Sequence, residues 1–104
     1  MQKWAIAATW PFGRRAVEVG SRLLDEERNG IDVVEQAIRA VELDPTVDSV
    51  GVGGIPNYEG EVELDAALMR GKDLAIGAVA GVKSFPNPIS IARLVLEKTP
   101  PDGR

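Results

Sequence analysis

The sequence predicts an α+β fold, because helical and strand-like segments are mixed along its 104 residues without a regular strand–helix–strand repeat. Three observations lead to this prediction. Apolar residues recur at helical spacing over two consecutive stretches in the first half, a glycine-rich segment interrupts the middle, and two apolar runs of strand-like composition follow it. The length fits one domain, or a piece of one, with a modest hydrophobic core.

The first predicted element is a buried strand over residues 4–10. This apolar run has the length of an ordinary strand and is closed by Pro11, with Gly13 completing a turn. It is too short for the hydrophobic region of a signal peptide, so we expect a cytoplasmic protein. No window of the chain approaches the roughly 18 apolar residues of a membrane-spanning helix, so no membrane partner is expected.

Two amphipathic helices should follow. From Arg14 onward the apolar residues fall on one stripe, and we expect this helix to stop at Asn29-Gly30, where Gly30 would adopt the left-handed conformation of a C-cap. Asp32 is typical of the N-cap or the first turn of a second helix, which Pro45 would end. Because the connection is very short, the two helices should pack as an antiparallel pair.

A glycine-rich loop, a β-hairpin and a last helix are predicted next. Three glycines within 51–54 exclude a helix there and indicate special backbone angles or close backbone approach. Residues 62–69 and 74–82 read as two strands joined by a turn. Asn87 and Pro88 are typical of the N-cap and first position of a helix, which would end at the Thr-Pro-Pro segment before a polar tail, 102–104.

Composition restricts the chemistry that the chain can support. It has no Cys and no His, which excludes disulfides, thiolate or imidazole metal sites and catalytic pairs that use histidine. Any catalysis must therefore use hydroxyls, carboxylates, amines or backbone groups. Twelve basic residues stand against sixteen acidic ones, a net charge of −4, and they form no basic block, so no nucleic-acid partner is expected.

Two sets of residues suggest binding sites only weakly. The glycines at 51–54 do not precede a helix, as a phosphate-binding loop requires, so a tight structural loop is the preferred interpretation. Glu61, Glu63 and Asp65 alternate along one strand face and could form a metal or acid–base group, or simply a solvated face. Asp65 enters an apolar segment, where a carboxylate would need a partner.

Trp10 and Ser49 are the candidate ligand-binding residues. Trp10 ends the first predicted strand, where ligands are often met, and it could pack against a sugar or carbonyl substrate or fill the core. Thr9 and Ser49 supply hydroxyl groups near these positions, with no evident base beside them in the sequence. Composition and spacing alone do not name a reaction.

Four segments, taken together and in this order, resemble the glycosylasparaginases of the threonine-type asparaginase family. They are Thr9-Trp10-Pro11-Phe12, the run DSVGVGGIP from Asp48 to Pro56, Gly60-x-Val62-x-Leu64-Asp65-Ala66-x-x-Met69, and Lys83-x-x-x-Asn87-Pro88-Ile89-x-x-Ala92-Arg93-x-Val95-x-Glu97-Lys98-Thr99-Pro100. The resemblance spans residues 4–100. It identifies residues 1–104 as the N-terminal part of an α subunit.

This resemblance implies an N-terminal-nucleophile hydrolase with an αββα four-layer sandwich. In that family a precursor cleaves itself, and the new N-terminal Thr of the β chain attacks the side-chain amide of glycosylated asparagine, with its own amine as base. Relatives act on free asparagine or β-aspartyl peptides, which are the alternative substrates. A base supplied by the terminal amine needs no histidine, in agreement with the composition, and the resemblance implies no metal or other cofactor.

The resemblance also assigns roles to two residues. Trp10 would border the substrate pocket, and Ser49 would hydrogen-bond to the nucleophile and orient it. Plant-type asparaginases and isoaspartyl peptidases begin with a His-Gly-Gly-Ala-Gly motif and carry Asn at the position of Ser49. This sequence has neither feature, which favours the glycosylasparaginase branch.

The nucleophile of the family lies on the β chain, so we expect these 104 residues alone to be inactive. The implied partners are the β subunit, or the C-terminal part of the same precursor, and a second copy in an (αβ)2 dimer. Relatives are lysosomal or periplasmic, which leaves location open beside the cytoplasm. A truncated, non-catalytic interaction domain is the other alternative; the unguarded apolar strand 74–82 argues against it.

Overall fold

The computed structural model describes residues 3–100, in which three α-helices accompany a two-stranded antiparallel sheet. The elements are α1 (Gly13–Asp25), α2 (Gly30–Glu42), a 3-10 turn (Gly51–Gly53), β1 (Leu64–Met69), β2 (Ile76–Val82) and α3 (Pro88–Lys98). This mixture confirms the predicted α+β class. The polar tail expected at 102–104 lies outside the described residues, and no helix within 3–100 is long and apolar enough to cross a membrane.

The predicted strand at 4–10 is wrong in this structure. These residues, all within the described part, run without regular secondary structure, and Trp4 is partly exposed. Ile6 alone packs well, against the apolar residues that α1 and α2 share. A strand needs a neighbour to bond its N–H and C=O groups, and the two strands described here pair with each other.

The predicted end of α1 at Asn29-Gly30 is also wrong, because the helix closes three residues earlier, with Glu26 as its C-cap. Glu27 adopts the left-handed conformation, with φ 61°, and its N–H donates to the Leu24 carbonyl at 3.0 Å. The Arg28 N–H donates to the Leu23 carbonyl at 3.1 Å. This is the hydrogen-bond pattern of a Schellman motif, made without glycine.

Gly30 instead begins α2, and Asn29 is its N-cap. The Asn29 side-chain oxygen accepts a hydrogen bond from the Asp32 N–H at 3.0 Å, so Asp32 is a first-turn acid. Helices α1 and α2 pack against each other, as predicted, through a buried cluster of Val19, Leu23 and Val33.

The predicted hairpin is confirmed, and one of its faces packs on α3. Leu68 of β1 joins Ile89, Ala92 and Leu96 of α3 in a buried cluster. Gly77 of β2 lies so close to α3 that a Cβ atom there would overlap the Ala92 carbonyl oxygen. The hairpin and α3 therefore meet backbone to backbone.

The opposite face of the hairpin is exposed and apolar. Ala67 pairs across the strands with Ala78, and Met69 pairs with Ile76. All four side chains are exposed. A register shift between Leu64 and Ala66 marks a bulge near the open end of the hairpin.

Candidate functional site

A cleft of about 720 Å³ lies between the α1–α2 pair, the loop that precedes the 3-10 turn, and β1. Apolar side chains line most of it, and Ile89 of α3 is one of them. The polar residues Thr9, Ser49, Glu42 and Asp65 are also part of its lining. An apolar cleft with a few polar groups is the usual form of a small-molecule site.

The structure places Ser49 and Trp10 differently with respect to this cleft. Ser49 lines it, together with Thr9. Trp10 follows Thr9 directly, but among the described residues it lies outside the cleft lining, with 73% of its surface exposed. So exposed a side chain does not fill the core of this structure. Its φ of 66° is unusual for a bulky aromatic residue and directs the chain sharply into α1.

The glycine-rich loop that carries Ser49 rests on the C-terminal end of α2. Gly51 has a φ of 67°, and a Cβ atom there would overlap the backbone of Glu42, including its carbonyl oxygen. A Cβ atom on Gly53 would likewise overlap the carbonyl oxygens of Pro45 and Val47. Both predicted reasons for these glycines, special backbone angles and close approach, are confirmed.

Each of the three acidic residues of this row, Glu61, Glu63 and Asp65, has a partner at or just beyond the end of β2. The Lys83 Nζ lies 2.9 Å from Glu61 Oε2 and 3.5 Å from Glu63 Oε1. These contacts raise the pKa of Lys83, and the hydrogen bond to Glu61 is the largest cause. Asp65 Oδ1 accepts a hydrogen bond from the Gly81 N–H at 2.9 Å, which is the partner that its position required. Within residues 3–100 no group of three or more Asp or Glu side chains is placed so that it could hold a metal ion.

Glu42 is the buried charge that the sequence analysis missed. It is 3% exposed; its Oε1 accepts from Asn87 Nδ2 and its Oε2 from the Ile89 N–H, each at 3.1 Å. Burial raises the pKa of this carboxyl, and the two hydrogen bonds partly oppose that shift. Its position four residues after Ile38 and one after Val41, on the apolar stripe of α2, is the sequence signal that could have found it.

A second polar cluster, also missed, joins α2 to α3 away from the cleft. Arg93 bonds to Asp32 and, at 2.8 Å, to Glu35. Ser90 donates to Glu35 at 2.6 Å and accepts from Arg39 at 2.7 Å. The hydrogen bond from Arg93 lowers the pKa of Asp32. These groups satisfy one another, so we interpret the cluster as a helix–helix contact.

Comparison with known proteins identifies the family. The family described as "Asparaginase" matches residues 5–102, which is nearly the whole chain. The chain belongs to the asparaginase family. The "Isoaspartyl peptidase/L-asparaginase" proteins of Macaca fascicularis and Homo sapiens are each 50% identical to it over 86 residues, covering 83% of this chain and 28% of the relative.

Other relatives carry the names of different branches. The "N(4)-(Beta-N-acetylglucosaminyl)-L-asparaginase" of Elizabethkingia miricola is 44% identical over 95 residues, 91% of this chain and 28% of the relative. The "Plant-type L-asparaginase" of Thermococcus kodakarensis is 48% identical over 86 residues, 83% of this chain and 28% of the relative. The family resemblance is thus confirmed, whereas the glycosylasparaginase branch stays a prediction. The chain spans 28% of the length of these relatives.

Proposed function

We propose that the chain is the N-terminal part of the α portion of an amidohydrolase that cleaves the side-chain amide of asparagine-type substrates. The family match over residues 5–102 is the observation that carries this proposal. The names of the relatives support it, since they include asparaginases, isoaspartyl peptidases and a glycosylasparaginase.

In this proposal the nucleophile comes from outside these 104 residues. An N-terminal Thr of a β portion, made by self-cleavage of the precursor, attacks the amide carbon, and its own amine takes the hydroxyl proton. The tetrahedral intermediate then expels the amine or ammonia, and water releases the aspartyl product. A chain without His or Cys is compatible with such chemistry.

Two residues of this chain would serve the reaction. Ser49 lines the cleft, where its hydroxyl would hydrogen-bond to the Thr nucleophile and orient it. Trp10, with its exposed indole, would border the substrate. Neither residue is the base; both would position groups that react.

The proposal extends to the fold and the assembly. The hairpin and α3 would form one sheet and one helix layer of the four-layer sandwich, and the exposed hairpin face would meet the second sheet. The partners would be the β portion of the same precursor and a second copy in an (αβ)2 dimer.

Two substrate classes have specific support. Ser49 and the Thr9-Trp10-Pro11-Phe12 segment favour glycosylated asparagine, as in the glycosylasparaginases. Free asparagine and β-aspartyl peptides are favoured by relatives at 50% identity that are named for those substrates. These two possibilities predict different products beside aspartate: a glycosylamine in the first case, and ammonia or a free amino acid in the second.

The test is to incubate the full-length precursor with three substrates and to follow aspartate release. The substrates are N-acetylglucosaminyl-asparagine, free asparagine and a β-aspartyl dipeptide. We expect the first to be hydrolysed with the highest kcat/KM, and mass spectrometry to detect a cleaved β chain that begins with Thr. A preference for the dipeptide would move the protein to the isoaspartyl peptidase branch. Failure to hydrolyse any of the three would contradict the amidohydrolase proposal and favour a non-catalytic binding domain.

A further inference from the structure

One buried side chain joins two walls of the cleft. Glu42, the last residue of α2, directs its carboxylate to the first turn of α3, where Asn87 Nδ2 and the Ile89 N–H each donate to it at 3.1 Å. Glu42 and Ile89 both line the cleft. The carboxylate therefore connects the end of one helix to the beginning of another, between two residues that line the cleft.

The main chain of the same residue supports the wall that carries Ser49. Gly51 packs directly on the Glu42 backbone, at a distance that only a residue without Cβ permits. Ser49, Val50 and Gly51 all line the cleft. One residue thus holds the Ser49 loop with its backbone and α3 with its side chain.

The carboxylate replaces the cap that the sequence predicts for α3. Asn87 occupies the N-cap position but directs its amide to Glu42, while Pro88, the first helical residue, has no N–H to offer. The Ile89 N–H is one of the donors at this helix start that have no partner within the helix, and it donates to Glu42. A negative charge there also interacts favourably with the dipole of α3.

Stability alone explains this arrangement poorly. Both hydrogen-bond partners of Glu42 are neutral, so the carboxylate is buried without a bonded cation, and the cost of removing it from water offsets much of what its hydrogen bonds and the helix dipole contribute. The Arg39 guanidinium, whose charge also favours the ionised form of Glu42, donates its hydrogen bond to Ser90. What the carboxylate does provide is a fixed geometry, because donors from two different residues, the Asn87 side chain and the Ile89 main chain, bind its two oxygens and so set both its position and its orientation.

We propose that Glu42 is a positioning residue for the cleft, which fixes the separation between the Ser49 loop and the first turn of α3. The inference rests on the proposed function, since the separation matters for catalysis only if Ser49 orients the nucleophile. Displacements of about 1 Å in such groups can lower rates by about 100-fold. Glu42 acts through its neighbours and contacts no reacting atom.

The test compares four variants of the full-length precursor. Glu42→Ala removes the carboxylate, and Asn87→Asp sets a second carboxylate against it. Adding Glu42→Gln to Asn87→Asp exchanges donor and acceptor, so that the bonds to residue 87 and to the Ile89 N–H can form again. Glu35→Ala is the matched control, because Glu35 bonds to Ser90 and Arg93 in the same α2–α3 contact but lies outside the cleft lining of the described residues.

We expect Glu42→Ala and Asn87→Asp to lower kcat by about 10- to 100-fold at temperatures where both are folded. Hydrogen exchange should rise in residues 49–53 and 87–91 together. The double variant should recover most of kcat relative to Asn87→Asp. Glu35→Ala should lower the melting temperature and leave kcat within about twofold.

Three outcomes would overturn the proposal. The first is a loss of melting temperature in Glu42→Ala with unchanged kcat and unchanged exchange at 49–53, which is the signature of a merely structural residue. The second is a double variant no better than Asn87→Asp. The third is an effect of Glu35→Ala on kcat as large as that of Glu42→Ala. If the wild-type precursor hydrolyses no amide, the proposed function fails, and exchange in the two segments still decides whether Glu42 couples them.

Discussion

Trp10 combines an exposed indole with a left-handed backbone, next to a residue that lines the cleft. If it borders the substrate, Trp10→Ala in the full-length precursor should raise KM by about tenfold, or about 1.4 kcal/mol of binding free energy, with little change in kcat. The melting temperature should hardly change, because the substitution removes little buried area and because alanine, like tryptophan, must adopt the left-handed backbone conformation at this position. Steady-state kinetics and thermal unfolding on one preparation check both parts.

Trp4→Ala is the control for this prediction, since Trp4 is the other tryptophan of the chain and is 39% exposed. It should leave KM unchanged. A Trp10→Ala protein that unfolds earlier yet keeps its kinetics would mean that the indole packs against other parts of the protein and does not bind substrate.

Single residues were predictable where their partners are near in sequence. The glycines at 51–54 and the first-turn acid Asp32 depend on local geometry, which the sequence displays directly. Asn87 was predicted to cap its own helix, but its amide bonds to Glu42, 45 positions away. Periodicity places Glu42 on the apolar stripe of α2 and so indicates that it is buried, but it does not identify a partner 45 positions away.

At the scale of elements, Gly77 decides how closely α3 can lie on the hairpin. A Cβ atom there would overlap the Ala92 carbonyl oxygen. Neither atom could turn aside by a side-chain rotation, because the backbone fixes the positions of both. We expect Gly77→Ala to lower the free energy of unfolding by about 3 kcal/mol, at the upper end of the usual cost of overpacking. Gly71→Ala is the control, because a Cβ atom there meets nothing within 4 Å, and it should be nearly neutral. Denaturant unfolding of both variants checks this; equal effects would show that α3 moves aside without cost.

The elements that the sequence predicted well are those that depend on their own residues. The two helices of the first half, the hairpin and α3 carry clear periodicity, and the structure has them all. The strand at 4–10 depends on a neighbour that the described residues do not offer it. The end of α1 was misplaced because Glu27, and not a glycine, adopts the left-handed conformation.

At the scale of the whole molecule, the hairpin presents an apolar face with nothing on it among the described residues. Ala67, Met69, Ile76 and Ala78 form two adjacent cross-strand pairs on this face, and α3 covers the other. A two-stranded sheet with one face open is marginally stable in water and prone to association. The four-layer sandwich proposed above would bury this face under a second sheet supplied by the remaining polypeptide.

Ala78→Glu tests that arrangement, because the same charge should act in opposite directions in two contexts. In the full-length precursor it would bury an unpaired carboxylate and lower the free energy of unfolding by about 3–5 kcal/mol. In the 104-residue chain alone it would interrupt an exposed apolar surface and increase the soluble, monomeric fraction measured by size-exclusion chromatography. Lys72→Glu is the control, at an exposed turn position. It changes the net charge by two units where Ala78→Glu changes it by one, yet it should affect stability and solubility less than Ala78→Glu does. A precursor that tolerates Ala78→Glu as well as Lys72→Glu would have this face in water, and the second sheet would then have to lie elsewhere.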